Sequence, residues 1–307
     1  MLRTRSNGDG TKMIAAIGNF DGVHRGHIML LEQTIGLAQK AGGKSAAVVF
    51  DPHPRRYFRP NDPPFLITTA AMRNDLILAA GCDAVLPLKF DAALAASTPE
   101  EFVMETLKGA LQLSGVVTGA DFRFGKDRAG DAQGLARLCE AHGLKAHIVE
   151  PLAEKGHSDK IGSTAIREAL LSGSVDLAAH LLGRQWRVEG IVEKGKQLGR
   201  TIGFPTANLT LGDLIEPRRG VYAVRAVVDG AIVDGVANFG RRPTVDVMSP
   251  PLLEVFLFDF QGELYGKTLA VDFVRFIRDE MRFDGLDALK QQIALDCETA
   301  RKILAAD

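Results

Sequence analysis

The sequence predicts an α/β doubly wound domain followed by an antiparallel β-barrel with a C-terminal helix. Three observations predict it. Short apolar runs alternate with helical periodicity from Met13 to about Gly183. Near Trp186 the pattern changes to alternating strands punctuated by glycine turns. The chain then closes on a single amphipathic stripe at helical spacing. Its 307 residues suffice for two domains, and the change of pattern at "LLGRQW" divides them into residues 1–183 and 184–307.

In chain order, "MIAAIG", "SAAVVF", "DAVLPL", "GVVTG" and "KAHIV" are apolar runs bounded by turn residues and read as buried parallel strands. Each leads into a turn and a helix. Behind the first run, Ile28, Leu31, Ile35 and Ala38 keep helical spacing, so one stripe packs on the sheet. "WRVEGIVEKG", "GVYAVRAVVDG", "AIVDGVANFG", "LLEVFLFDF" and "KTLAVDFVRFI" read as the barrel strands. Leu286, Leu289, Ile293, Cys297, Ala300 and Leu304 line one helix face, which is placed against the barrel.

The formal charge of −1 supplies no basic field for nucleic acid, so the expected partners are small molecules. Cys82, Cys139 and Cys297 are far apart and odd in number, which argues against a disulfide framework or a CxxC metal site and fits a reducing cytoplasm. The apolar run before Asp21 is too short for a signal-peptide core, and no stretch is apolar enough to span a bilayer.

The stretch "GNFDGVHRGH", Gly18 to His27, follows the first apolar run and so falls at the carboxyl end of a strand, where doubly wound sheets bind ligands. Glycines let the backbone approach a ligand, and the next helix offers unpaired N–H groups to a phosphate. His24 and His27 add donors at the same place. There is no GxxxxGK[ST] loop and no HExxH, and two histidines three apart without a third ligand make a poor zinc site. The pattern alone leaves open that the pair merely caps the helix. "GSTAIREAL" likewise reads either as phosphate-binding residues or as a serine N-cap, and "FDPHP" as site residues or as a rigid proline turn.

In the second half, "KGKQLGRTIGFPTANL" sets glycines and a proline around hydroxyl and amide groups. It reads as a flap over phosphates, with Thr206 and Asn208 as oxygen ligands for a hard cation, or as a long hairpin loop. Glu254 stands inside the apolar strand "PLLEVFLFDF". It points either into a site or outward from an alternating strand.

These motifs carry a resemblance. "GNFDGVHRGH" resembles the HxGH signature of the nucleotidylyltransferase superfamily. Together with "FDPHP", "GADFRFG", "GSTAIREAL" and "GFPTANL", it makes the chain similar to the prokaryotic bifunctional FAD synthetases, which fuse a riboflavin kinase to an FMN adenylyltransferase. The resemblance covers nearly the whole chain. It implies that riboflavin is phosphorylated by ATP to FMN in the barrel, and that FMN then takes AMP from ATP in the α/β domain, giving FAD and pyrophosphate. It also implies Mg²⁺ with ATP. It assigns His24, His27 and Arg167 to the adenylyl-transfer chemistry, and Glu254 as the base for the ribityl 5′-hydroxyl. By the same resemblance Gly18, Asn19, Phe20, Gly26, Asp121, Ser163 and Thr164 lie at the first nucleotide site, and Gly195, Gly199 and Gly203 at the second. Thr206 and Asn208 hold the cation, and Phe122, Arg278 and Phe283 face flavin. For Arg278 and Phe283, fixing the C-terminal helix is the alternative. The sequence departs from the family at Gly162, where serine is common, at Asp121, where some members carry Asn, and at Phe256, where His is common. A flavin-binding regulator without turnover is the competing class, and it would have lost His24 or Glu254, both of which are present. A monomer or a transient homo-oligomer is expected, with no nucleic acid and no membrane as partner.

Overall fold

Each of the five apolar runs in the first half forms a strand, and all their pairings are parallel. The computed structural model describes residues 12–152, 161–194, 203–241 and 251–307. The strands are β1 (Met13–Ile17), β2 (Lys44–Asp51), β3 (Ala84–Lys89), β4 (Gly115–Gly119) and, after the short hairpin β5 (Arg123–Phe124) and β6 (Gly130–Asp131), β7 (Lys145–Val149). Their order is β3-β2-β1-β4-β7. Successive strands run outward from β1 in one direction and return to its other side at β4, so the topological switch lies between β1 and β4.

Strand periodicity splits β1 between two cores. Ala15 and Ile17 join Val48, Val116, Leu107 and Leu135 on one side, while Ile14 and Ala16 join Val49, Leu31, Ala38 and Ile77 on the other. A sheet buried on both faces needs apolar residues without alternation, which is why these strands read as continuous runs. Helix α1 (Arg25–Lys40) covers the second face through the predicted stripe: Leu31 and Ala38 are buried, with Ile28 and Ile35 packed beside them. The remaining helices of this half are α2 (Pro54–Phe58), α3 (Ala70–Ala79), α4 (Ala92–Ala96), α5 (Pro99–Glu101), which runs on into a π-helical segment at Phe102–Ala110, and α6 (Ala132–Ala141).

The second half begins with α7 (Ser163–Ser172) and α8 (Val175–Leu182), then continues through β8 (Trp186–Ile191), β9 (Ala207–Thr210), β10 (Gly220–Val228), β11 (Ala231–Gly240), β12 (Leu252–Leu257) and β13 (Thr268–Arg278). The six antiparallel strands have the order β8-β13-β10-β11-β12-β9. The Glu193 N–H donates to Asn208 O at 2.9 Å, joining the continuation of β8 to β9 and nearly closing the barrel. The expected strands are all present, and β9 is an additional one inside the stretch read as a flap. Its four residues are too few for alternation to register.

The C-terminal helix, Leu286–Ala306, packs Ala300 and Leu304 on Val221, Ala223, Val236 and Val274, with Cys297 alongside. One member of the predicted stripe is corrected: Leu286 is 64% exposed, because it opens the helix before the chain reaches the barrel surface. Asp296 is buried instead.

Packing divides the chain differently from pattern. Residues Met1–Asp62 with Ala70–Gly162 form one compact unit, and Pro63–Thr69 with Ser163–Asp307 form the other. The segment Pro63–Thr69 is tied into the second unit by backbone bonds: Leu66 N–H donates to Asp213 O at 3.2 Å and Ile215 N–H to Leu66 O at 2.8 Å. The Trp186 indole N–H donates to Ile67 O at 2.9 Å. Helical periodicity identifies α7 and α8 as helices but says nothing about which core receives Val175, Ala178 and Leu182, all buried. A fragment beginning at Ser163 should therefore melt roughly 5 °C or more above one beginning at Arg184, because each buried aliphatic side chain contributes about 1.5–3 kcal/mol. Thermal unfolding of the two fragments checks this, and equal midpoints would mean that α7 and α8 add nothing to the barrel.

Candidate active sites

At the end of β1 the backbone leaves the sheet through a turn that most sequences avoid. Phe20 has φ 53°, Gly22 φ 88° and Val23 φ 41°. Glycine accepts this region freely, but a β-branched residue there is a conformational outlier costing on the order of 1–3 kcal/mol. Phe20 and Val23 are fully buried in the core between the sheet and α1, and that burial holds the turn.

The turn delivers His24 as the N-cap of α1, where its Nδ1 accepts from the His27 N–H at 3.3 Å. A ring nitrogen that accepts carries no proton, so in the neutral imidazole the proton sits on Nε2, which is thereby a donor. The two histidine rings stack with centroids 3.7 Å apart, and Phe20 lies 5.0 Å from the His27 ring. Of the two alternatives the sequence left open, the structure shows the cap, and the same geometry leaves Nε2 of His24 as a donor. The first turn of α1 is Arg25, Gly26 and His27, with no acidic side chain where helices commonly place one, an arrangement that suits an anion. A Cβ at Gly26 would be tight against the His24 ring, at 3.2 Å, so a side chain there would press on the histidine. Gly18 continues the β1–β2 ladder through its N–H to Val48 O at 3.2 Å, and Asn19 is exposed.

Beyond β4, Asp121 is exposed and Phe122 is half-buried, its ring stacked on Phe124 at 5.6 Å and 9°. At the ends of β2 and β3, Tyr57, Phe58 and Phe90 meet edge to face, with Phe58 63% exposed. The sequence reading missed this aromatic surface; the adjacent Tyr57 and Phe58 after "DPHP" were its signal. His53 N-caps α2 by accepting from Arg55 N–H at 3.1 Å.

In the second unit, Ser163 and Thr164 open α7, and Arg167 Nε donates to Phe65 O at 2.8 Å with its guanidinium 5.6 Å from the Phe65 ring. In the barrel, strand register sets Asn208 opposite Glu254 and Glu254 opposite Asn238. Side chains at paired positions share a face, so two amides flank one carboxylate in a row across β9, β12 and β11. Leu253 and Val255 are fully buried on the other face of β12, while Phe256, on the same face as Glu254, packs beside the C-terminal helix. Glu254 is thus half-buried, on the face of β12 opposite Leu253 and Val255. Thr206 stands two residues before Asn208, half-buried, and Gly203 is exposed at φ 91°. Gly195 and Gly199 lie outside the described residues.

Arg278 is held by the helix: Nε and Nη2 donate to the two oxygens of Asp296 at 2.8 and 2.6 Å, and Nη1 to Asp279 O at 2.8 Å. Phe283 lies 5.9 Å from its guanidinium. Gln292 donates a further bond to Asp296 at 2.9 Å. Burial pushes the thiols of Cys82, Cys139 and Cys297 up to about 11, so all three are protonated near neutrality and poor nucleophiles. Among the described residues no helix is long and apolar enough to cross a membrane, and no group of three or more His, Cys, Asp or Glu side chains is placed to hold a metal ion.

A helix N-terminus carrying two histidines on a parallel sheet, followed by an antiparallel barrel with an amide–carboxylate row, makes a two-module protein. Residues 7–165 match the FAD synthetase family and residues 182–304 the riboflavin kinase family. The bifunctional riboflavin kinase/FMN adenylyltransferase of Haemophilus influenzae is 39% identical over 287 residues, covering 93% of this chain and 92% of that protein. The enzyme of the same name from Escherichia coli K12 is 39% identical over 290 residues, covering 94% and 92%. A crystal structure described as a macrolide-efflux protein from Streptococcus pneumoniae superposes with a TM-score of 0.85 at 31% identity, over 95% of this chain and 94% of that one. The chain belongs to the bifunctional riboflavin kinase/FMN adenylyltransferase family.

The Arg278–Asp296 pair fixes the helix, and breaking a buried pair leaves an uncompensated charge. Asp296→Ala should lower the stability of the barrel unit by about 3 kcal/mol. Urea unfolding followed by Trp186 fluorescence checks this, and an unchanged midpoint would show that the apolar contacts alone hold the helix.

Proposed function

We propose that adenylyl transfer to FMN is carried by residues 1–183 and riboflavin phosphorylation by residues 184–307, with the chemistry placed on the His24–His27 turn and on the Asn208–Glu254–Asn238 row. The register that sets Glu254 between two amides is the observation that carries the kinase assignment.

In the barrel, Glu254 takes the proton of the ribityl 5′-hydroxyl as that oxygen attacks the γ-phosphorus of ATP, and ADP leaves. Thr206 and Asn208 are neutral oxygen donors, suited to a hard cation whose negative partners arrive on the nucleotide. Mg²⁺ held there with ATP supplies charge neutralisation. Gly203, at positive φ, gives the chain entering β9 its bend.

In the first domain, a phosphate oxygen of FMN attacks the α-phosphorus of ATP in line and pyrophosphate leaves, with no covalent enzyme intermediate. Catalysis is then positioning and charge stabilisation. His24 donates from Nε2 and His27 from the first turn of α1, beside the backbone of Gly18, Asn19, Phe20 and Gly26. Ser163 and Thr164, at the start of α7 in the second unit, are phosphate-binding residues, with Arg167 supplying positive charge. Asp121 and Phe122 border the nucleotide and flavin, and the exposed Tyr57–Phe58–Phe90 surface suits a planar ring system. Arg278 and Phe283 serve the flavin side of the barrel indirectly, by fixing the helix that borders it. A cytoplasmic monomer or transient homo-oligomer fits three free cysteines and small-molecule substrates.

Replacing His24 and His27 together by Ala should abolish FAD formation while riboflavin phosphorylation in the same chain stays within about twofold of normal; HPLC of products from riboflavin, ATP and Mg²⁺ reads both. Equal loss of the two activities would overturn the division of chemistry. Glu254→Gln keeps the shape and removes the base, so phosphorylation should fall roughly 10²–10⁴-fold while supplied FMN still becomes FAD. A normal phosphorylation rate would show that Glu254 is not the base.

A further inference from the structure

Arginine is rarely taken fully out of water, yet Arg73 of α3 is only 6% exposed. It is not buried as half of a simple ion pair. Nη1 donates to Phe50 O at 3.2 Å, and Nε donates to Asn74 Oδ1 at 3.3 Å. Nη2 is buried and has no hydrogen-bond acceptor among the described residues. Burial lowers the proton affinity of the guanidinium, while Asp51 and Asp21 raise it. Those two carboxylates come from different loops. Asp21, 3% exposed, lies between the strained Phe20 and Gly22 beyond β1, and Asp51 ends β2 immediately after the carbonyl that Arg73 binds.

Anchoring α3 does not account for this residue. The helix already buries Met72 and Ile77, and an apolar side chain would fill the same volume without desolvating a charge. What an apolar residue would not supply is one positive charge set against the loops that leave β1 and β2. Without it, the buried Asp21 carboxylate would lose a counter-charge in the turn that must aim His24 at phosphate. We propose that Arg73 is a positioning residue for adenylyl transfer: its buried charge and its bond to Phe50 O hold the β1 and β2 loops together and so fix the His24–His27 turn. This rests on placing adenylyl transfer at that turn. Arg73 acts through the protein and touches no substrate, so its loss should appear in kcat rather than in KM.

The test compares two substitutions in the full-length chain, with riboflavin phosphorylation and the unfolding midpoint as internal controls. Arg73→Gln keeps a donor within reach of Phe50 O but removes the charge, and Arg73→Lys keeps the charge. FMN adenylylation by the Gln variant should lose about 100-fold in kcat, the size of effect expected of a displaced catalytic geometry, with KM for ATP and FMN changed less than about threefold. The Lys variant should stay within about tenfold of the wild type. Asp21→Asn added to Arg73→Gln should cost less than the product of the two single losses, because the carboxylate that needed the counter-charge is gone. A Gln variant with wild-type kcat, equal losses in Gln and Lys, a rise in KM for ATP at constant kcat, or strictly multiplicative losses in the double variant would each overturn the proposal. If the Gln variant is too unstable to assay, Arg73→Met, which also removes the charge, takes its place in the same comparisons, alone and combined with Asp21→Asn. His24→Ala, assayed in parallel, separates the two levels: activity retained there sinks the site assignment itself, whereas loss there with a normal Gln variant sinks only the role of Arg73.

Discussion

A valine at φ 41° and a phenylalanine at φ 53° are held in a turn only if their side chains gain more by being there than the backbone loses. Both are buried against the second face of the parallel sheet, so the core itself supplies the force that keeps the β1–α1 turn bent. Burying each of these side chains contributes about 1.5–3 kcal/mol, enough to offset a backbone cost of about 1–3 kcal/mol per outlier. The position of His24 and the direction of the α1 dipole both follow from that turn.

The two modules approach phosphate chemistry from different secondary structure. In the α/β unit, backbone N–H groups at a helix start and two stacked imidazoles form a region of donors, suited to stabilising charge that spreads over phosphate oxygens. In the barrel, cross-strand register places an acceptor carboxylate between amides, suited to taking a proton from an attacking hydroxyl. Adenylyl transfer uses a nucleophile that is already an anion, whereas riboflavin brings an alcohol. The assignment proposed above distributes donors and base between the two folds according to that difference.

Much of this was legible in the sequence because it depends on local pattern. A sheet covered on both sides leaves unbroken apolar runs, and all five parallel strands were read from them. The α1 stripe and the HxGH turn were legible for the same reason. What stayed hidden depends on partners distant in the chain. Nothing local marks Arg73 or Asp296 as buried, since a charged residue on a helix ordinarily faces water, and only the loops and the barrel that receive them make burial tolerable. The four-residue β9 falls below the length at which alternation is visible, and Leu286 satisfies the periodicity without reaching a surface to cover. The packing of α7 and α8 with the barrel was also beyond periodicity, which reports the kind of element but not its core.

The seven residues Pro63–Thr69 leave one further mark on the chain. The polypeptide passes between its compact units three times, at 62/63, 69/70 and 162/163, rather than once. A barrel exchanged as a C-terminal cassette would arrive without the carbonyl that receives the Trp186 indole and without the backbone partner of Asp213 and Ile215. The residual half would keep a strap shaped for a surface it no longer meets. Interlacing of this kind means that a cut at the apparent seam divides residues that pack together, wherever the chemistry itself is divided.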